Sequence, residues 1–189
     1  IYSEKSHNFE INSSGVNAIF VSNGTFSGNF TLTNGTVDLS GTTNTVTGQT
    51  YLNGGTFQAS SGTYTCNGTG VAVSINGATA NFAGATINVG NNTDEAMRLY
   101  SGAVNVTGGT INVKNYFLAD VAGFSISGGT MNIGTGGAVT YEAFYIFGNG
   151  TFSGGTIDVQ SVQTGGSGIA LDISSGSTFT GGLMKVTAT

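Results

Sequence analysis

The sequence predicts an all-β protein, a parallel, right-handed β-helix in which about seven or more coils of 20–30 residues stack along one axis. Three observations lead to this fold class. A phrase built around Gly-Gly-Thr recurs seven times. Its apolar positions alternate as they do in a strand that is buried on one side, and no stretch of the chain sustains the period of a helix.

The repeated phrase reads apolar–x–Gly–Gly–Thr–apolar–polar–apolar, with substitutions. Successive copies lie 20 to 30 residues apart, which predicts one coil for each copy and loops outside the stack for the surplus residues. The copies are LTNGTVDL (32–39), LNGGTFQA (52–59), FAGATINV (82–89), VTGGTINV (106–113), ISGGTMNI (126–133), FSGGTIDV (152–159) and FTGGLMKV (179–186).

Three apolar columns within the copies predict a continuous core. In the copy at 106–113 they are represented by Val106, Ile111 and Val113, with the polar Asn112 between the last two. Because Val106 and Ile111 are an odd number of residues apart, a straight strand cannot point both inward. The chain must therefore bend at the Gly pair, where a positive φ is permitted. A third apolar stretch completes each coil, with candidates at 71–75, 97–99, 116–121, 144–147 and 169–173.

The repeat also predicts how the chain is organised. Residues 1–31 fit it less well, so we expect an irregular first coil or an N-terminal edge there, followed by β-helix coils over residues 32–189. Neither end shows the cap that solenoids use to cover an open sheet edge. We therefore expect a segment of a longer solenoid.

The composition is poor in charge, and this excludes several classes of partner. Charged residues make up 7% of the chain, and its four basic residues are scattered, so we expect no nucleic-acid partner. No apolar run approaches the roughly 20 residues that span a bilayer, so we expect no membrane insertion by this segment. Hydrophobic residues reach 38%, which is enough to bury a core.

No constellation of residues predicts catalysis, a cofactor or a metal site. Asp38 and Asp158 occupy the same polar column five coils apart, about 24 Å, which is too far for an acid–base pair. We expect Asp158 to stack between Asn132 and Lys185, forming one weak ion pair. Cys66 is the single cysteine and is expected to be a small buried hydrophobe.

Two further charged groups have a simple interpretation. Asp94, Glu95 and Arg98 cluster in the longest polar insertion, where an exposed loop or helical turn with an ion pair from Asp94 to Arg98 is favoured over a functional loop. His7 is the single histidine and is interpreted as incidental, because a zinc site needs several ligands. We therefore expect the protein not to be an enzyme.

The outward positions contain a candidate binding face. Thr-x-Asn recurs on the same side of three successive coils, and flat hydroxyl arrays are the surfaces that β-helical ice-binding proteins use. Asp, Gln and Lys interrupt this column in other copies, so the favoured interpretation is a solvated sheet face. Binding of ice or carbohydrate is the alternative, and a polysaccharide-degrading enzyme is less well supported. The candidate residues are Thr86, Asn88, Thr110, Asn112, Thr130 and Asn132.

The phrases GGTINV, GGTMNI and GGTIDV resemble the Gly-Gly-Thr-rich strand repeats of very large bacterial surface proteins. These include autotransporter passengers and the repetitive adhesins that gliding bacteria export by the type IX pathway. The resemblance covers residues 32–186 and implies export, attachment to the cell surface and a role as a structural stalk or adhesin. Flanking solenoid domains, the export machinery and surface glycans are the partners that such a role implies.

Overall fold

The computed structural model describes residues 8–39, 41–90, 96–136, 142–161 and 170–187. Within these ranges the chain is entirely β, and its strands form one parallel sheet that winds through about seven turns. The strands are β1 (Phe9–Ile19), β2 (Gly24–Phe26), β3 (Phe30–Asp38), β4 (Thr43–Val46), β5 (Thr50–Leu52), β6 (Thr56–Ala59), β7 (Thr63–Cys66), β8 (Val73–Phe82), β9 (Thr86–Val89), β10 (Met97–Val106), β11 (Thr110–Val113), β12 (Phe117–Ala119), β13 (Phe124–Ile126), β14 (Thr130–Ile133), β15 (Phe144–Ile146), β16 (Gly150–Val159), β17 (Leu171–Ile173) and β18 (Thr178–Val186).

Each coil contributes one strand segment to each of three faces. Face 1 consists of segments 9–11, 30–32, 50–52, 73–75, 97–99, 117–119, 144–146 and 171–173. Face 2 consists of 17–19, 36–38, 56–59, 79–82, 103–106, 124–126, 150–152 and 178–179. Face 3 consists of 24–26, 43–46, 63–66, 86–89, 110–113, 130–133, 156–159 and 183–186. The predicted parallel β-helix is confirmed, and the predicted third-side stretches lie on face 1, although residue 169 is outside the described residues.

The predicted apolar columns line the interior. Side chains such as Leu32, Ile111 and Val113 are completely buried, and they belong to one continuous hydrophobic cluster. Aromatic rings stack along the axis within this cluster, as in the pair Phe117 and Phe144, whose ring centroids are 5.6 Å apart. The columns become exposed in β18, where the exposed fractions of Phe179 and Val186 are 56% and 49%.

The bend between strands occurs at the glycines, as predicted. Gly129, between face 2 and face 3, has a φ of 74°, a conformation that L side chains rarely adopt. A Cβ at this position would lie 2.6 Å from the carbonyl carbon of Gly108 in the coil beneath. Glycine is therefore needed at this corner for two reasons, which are its positive φ and the close approach of successive coils.

The prediction that all seven copies share one set of columns is wrong. In the first two copies the Gly corner joins face 1 to face 2, and Thr36 and Thr56 lie on face 2. Thr56 then pairs with Thr79, whereas Thr86 pairs with Thr63 on face 3. From the third copy onward the motif therefore joins face 2 to face 3. The 30-residue step is a shift by one face and not a coil with a long loop.

The first coil reaches all three faces. β1 pairs with β3 through breaks in register at Ile11/Asn12 and Asn12/Asn17, and β2 pairs with β4 on face 3. The rings of Phe9, Phe20 and Phe26 cluster there, with centroid distances of 5.3 to 6.0 Å. Apolar contacts of this kind extend the core into residues that lie before the first repeat copy.

Candidate binding face

The most regular outward surface is on face 3, where threonines form a column along the axis. Their Cα atoms pair in register from each coil to the next, and rungs of a sheet are about 4.8 Å apart, so six hydroxyl groups span about 24 Å. We call this set the threonine column. It consists of Thr43, Thr63, Thr86, Thr110, Thr130 and Thr156.

A second outward column runs beside the first, two residues further along each strand. Two residues of extended strand span about 6.6 Å, so the two columns form a regular two-dimensional array. The second column consists of Thr45, Thr65, Asn88, Asn112, Asn132 and Asp158. The alternating residues between the columns point into the core, and Tyr64, Ile87 and Ile111 are buried there.

Hydrogen bonds fix the asparagines of the second column. The amide nitrogen of Asn112 donates to the amide oxygen of Asn88 at 2.9 Å, and that of Asn132 donates to Asn112 at 2.8 Å. Asn88 in turn donates to the hydroxyl of Thr65 at 3.3 Å. Because each amide holds the next, the ladder orients the side chains in one direction along the rod.

The threonine column differs from the second column in its hydrogen bonding. Within the described residues, the hydroxyl groups of its six members make no hydrogen bond to the protein. Their donors and lone pairs are available to water or to a ligand, and the register of the strands spaces them regularly along the face. Face 3 therefore combines a self-bonded amide ladder with a row of unpaired hydroxyls.

All six residues singled out from the sequence lie together on face 3. Asp38 and Gln58, which the sequence placed in the same column, lie on face 2 instead, and the reason is the one-face shift of the motif. The array also includes two Thr-x-Thr coils that sequence analysis missed, because TNTV (43–46) and TYTC (63–66) do not follow a Gly-Gly pair. The Thr-x-Thr spacing in these two segments was the sequence signal that could have identified them as part of the array.

The array becomes charged at one end. As predicted, Asp158 stacks between Asn132 and Lys185, and its carboxylate lies 2.8 Å from the Lys185 ammonium. The hydrogen bond from Lys185 lowers the pKa of Asp158, and bonds from Thr187 and Gln160 act in the same direction. The expected column containing both Asp38 and Asp158 does not exist, because the two carboxylates lie on different faces.

Face 2 carries a second polar ladder. Asn81 donates to Gln58 at 2.6 Å, Asn105 donates to Asn81 at 2.9 Å, and Ser125 donates to Asn105 at 2.8 Å. This ladder is less uniform in residue type than the array on face 3.

Among the other residues considered from the sequence, Cys66 lies in the core next to Tyr64. Cys66 is buried as predicted, and burial raises the pKa of its thiol. Tyr64 lies beside it, and burial likewise raises the pKa of its hydroxyl, which is 2.7 Å from the Thr50 hydroxyl. The interpretations of Asp94, Glu95 and His7 concern positions outside the described residues.

The described ranges contain neither a metal-binding cluster nor a membrane-spanning helix. Nowhere in them do three or more His, Cys, Asp or Glu side chains come together as a metal site would require. The same ranges contain no helix that is long and apolar enough to cross a bilayer.

Comparisons with protein-family models, curated proteins and solved structures gave no match to this chain. What can be said about its function therefore comes from its own residues.

Proposed function

We propose that this chain is a non-catalytic rod segment of an extracellular or cell-surface β-helix protein, acting as a stalk or adhesin. The observation that carries the proposal is the parallel register, which continues through eight rungs on each of three faces. Every coil packs its apolar side chains on the next, and polar ladders brace the outside. Such a structure transmits force along its axis and offers long, repetitive lateral surfaces.

The exposed apolar residues of β18 suggest one partner for the rod. Phe179 stacks on Phe152 with a ring-centroid distance of 4.5 Å, while Phe179 and Val186, which continue the interior columns, are still about half exposed. A further solenoid coil would extend these columns and pair with the strand edge. We therefore propose a flanking solenoid domain as the neighbour at this end.

Surface labelling tests the proposed location. Antibodies against this segment should label intact cells that express the parent gene, and external protease should remove the label. Labelling that requires permeabilised cells would contradict the proposal. The non-catalytic role is tested by incubating the segment with plant, algal and bacterial polysaccharides, where release of reducing ends would refute it.

The threonine column supports a second candidate function, binding of the array to ice. Six unpaired hydroxyls at regular spacing, five of them on the uncharged rungs of β4, β7, β9, β11 and β14, can order water in a lattice. The segment should then inhibit ice recrystallisation. Thr110→Lys, at the centre of the array, should abolish the effect, whereas the matched control Thr56→Lys on face 2 should retain it. Inactive wild type, or equal activity of both variants, would exclude ice as the ligand.

A further inference from the structure

Face 1 carries a different surface, which the sequence did not reveal. Its outward side chains on three successive rungs, those of β10, β12 and β15, are aromatic or charged, apart from Leu118 of β12. We call this set the aromatic patch. It consists of Arg98, Tyr100, Asp120, Tyr145 and Phe147.

Backbone pairing places these side chains next to one another. Arg98 and Tyr145 belong to one column, since they pair in turn with Leu118 of β12. Tyr100, Asp120 and Phe147 each follow the last paired residue of their face 1 segment, and the backbone bonds from Asp120 to Leu99 and from Phe147 to Ala119 maintain the stacking. Tyr100 and Phe147 are thus two rungs apart, about 9.6 Å, with Asp120 between them.

Two of the three aromatic members are open to solvent, and Tyr145 is partly buried. Phe147 is 67% exposed and Tyr100 is 36% exposed, whereas most phenylalanines of this chain are buried in the core. The rings of Tyr145 and Phe147 lie side by side with their centroids 6.3 Å apart and their planes inclined by 42°. Large exposed aromatic residues grouped together on a soluble surface are characteristic of an interaction site.

An ion pair lies among the rings and leaves hydrogen-bonding capacity unused. The Arg98 guanidinium stacks over the Tyr100 ring at 4.4 Å and donates to Oδ2 of Asp120 at 2.9 Å. Within the described residues, Oδ1 of Asp120 and the hydroxyl groups of Tyr100 and Tyr145 have no hydrogen-bond partner. The patch therefore presents aromatic faces next to fixed acceptors and donors.

We propose that the aromatic patch binds a neutral oligosaccharide. The C–H face of a sugar ring packs on an aromatic ring, and its hydroxyl groups need partners such as the Asp120 carboxylate and the tyrosine hydroxyls. Arg98 and Asp120 neutralise each other, and Asp172 pairs with Tyr145 on the next rung, so the patch has no surplus positive charge for an anionic ligand. The length of the patch accommodates more than one sugar ring.

This inference concerns a different face from the threonine column. It gives the proposed adhesin role a ligand class, but it does not depend on binding to ice or on attachment to cells. The two faces differ in the type of side chain that they present to solvent. Face 3 offers small hydroxyls and amides without aromatic rings on its described rungs, whereas face 1 supplies the rings that sugar recognition uses.

Affinity electrophoresis of the whole segment tests the proposal. Native gels are prepared with neutral polysaccharides, namely β-glucan, galactomannan, xylan and soluble chitin derivatives, and titrations with the matching oligosaccharides follow tyrosine fluorescence, since the chain contains no tryptophan. We expect one of these to retard the protein. Phe147→Ala should weaken binding about tenfold or more, and Asp120→Asn should weaken it as well. Val21→Ala is the matched control, because this side chain is 84% exposed and lies outside the patch.

Four results would overturn the inference. The first is that no neutral polysaccharide or oligosaccharide binds. The second is that Phe147→Ala binds as tightly as the wild type while its circular dichroism is unchanged. The third is that only sulfated or uronate-containing polymers retard the protein and that added salt abolishes the effect, which would indicate non-specific charge. Loss of binding in Val21→Ala would equally exclude the patch as the site.

Discussion

The close approach of coils at the Gly corners can be measured with three alanine variants. Gly129 and Gly41 share a φ of 74°, but a Cβ at Gly129 would lie within 2.8 Å of three backbone atoms of the coil beneath, whereas one at Gly41 would meet nothing within 4 Å. Gly15 has neither constraint. The series therefore separates backbone strain from steric conflict.

The expected changes in unfolding free energy follow from backbone strain and steric conflict. A left-handed conformation costs an alanine about 1–2 kcal/mol, and the lower entropy of the unfolded chain returns about 0.4–1 kcal/mol, so Gly41→Ala should be destabilising by about 1 kcal/mol. Gly129→Ala adds an overpacking cost of about 1–3 kcal/mol, because its neighbours are backbone atoms that cannot rotate away. Gly15→Ala should be neutral or slightly stabilising.

Urea denaturation followed by circular dichroism provides the measurement. The slope of the unfolding free energy against urea concentration must be the same for all variants, because a repeat protein that unfolds only in part exposes less surface and gives a smaller slope. The expected order of stability is Gly15→Ala, then Gly41→Ala, then Gly129→Ala. Equal unfolding free energies for Gly129→Ala and Gly41→Ala would refute the conclusion that successive coils touch at this corner.

Four other expectations concern the core and the charged end of the array. Ile111→Ala should lower the unfolding free energy by about 2–5 kcal/mol, since the side chain is fully buried, and Ile111→Asp should prevent folding, as shown by loss of the β-sheet spectrum. Asn44→Val should raise the melting temperature, because the amide oxygen of this buried residue has no hydrogen-bond partner among the described residues; a lower melting temperature would disprove this. Because the pKa of Asp158 is lowered in the folded state, the charge of this carboxylate stabilises the fold at pH values above the ordinary aspartate pKa. This stabilisation is lost as the pH falls through the lowered pKa. Lys185→Met removes the main cause of the lowering, so its melting temperature should fall less steeply with acidification than that of the wild type. Cys66 should react with a thiol reagent such as DTNB only after unfolding, because burial raises the pKa of the thiol; rapid reaction of the native protein would contradict its buried position.

The fold could be predicted because the patterns that determine it lie within short stretches of the sequence. Alternation around Asn112 identifies a half-buried strand, and the odd spacing from Val106 to Ile111 requires a bend at the glycines between them. Recurrence of the phrase then requires stacking of coils, since one coil cannot bury its own apolar side. None of these steps needs knowledge of distant pairing.

The shift by one face could not be predicted for a physical reason. A tight corner needs glycine whether it joins face 1 to face 2 or face 2 to face 3, so the motif has the same sequence at either place. Only the pairing of Thr56 with Thr79, and of Thr63 with Thr86, distinguishes them. The error made the array on face 3 appear shorter and more interrupted than it is.

The aromatic patch escaped detection for a related reason. In FYIF (144–147) four consecutive residues are apolar, and the sequence suggests one buried stretch. The structure buries Phe144 and Ile146 and turns Tyr145 and Phe147 outward. Alternation of exposure cannot be read where both sides of the strand carry hydrophobic residues.

The one-face shift also determines which deletions this gene could tolerate. Recombination between the copies at 106–113 and 126–133 would remove residues 110–129, one whole coil, and every later strand would keep its face. Recombination between the copies at 52–59 and 82–89 would remove residues 56–85 and join a corner of one kind to a strand of the other. All later coils would then be rotated by a third of a turn against the earlier ones, and the threonines would no longer form a single row. The repeats are therefore interchangeable units only within each of two blocks, and lineages that vary the length of this rod should gain and lose coils on either side of residues 56–86 but not across them.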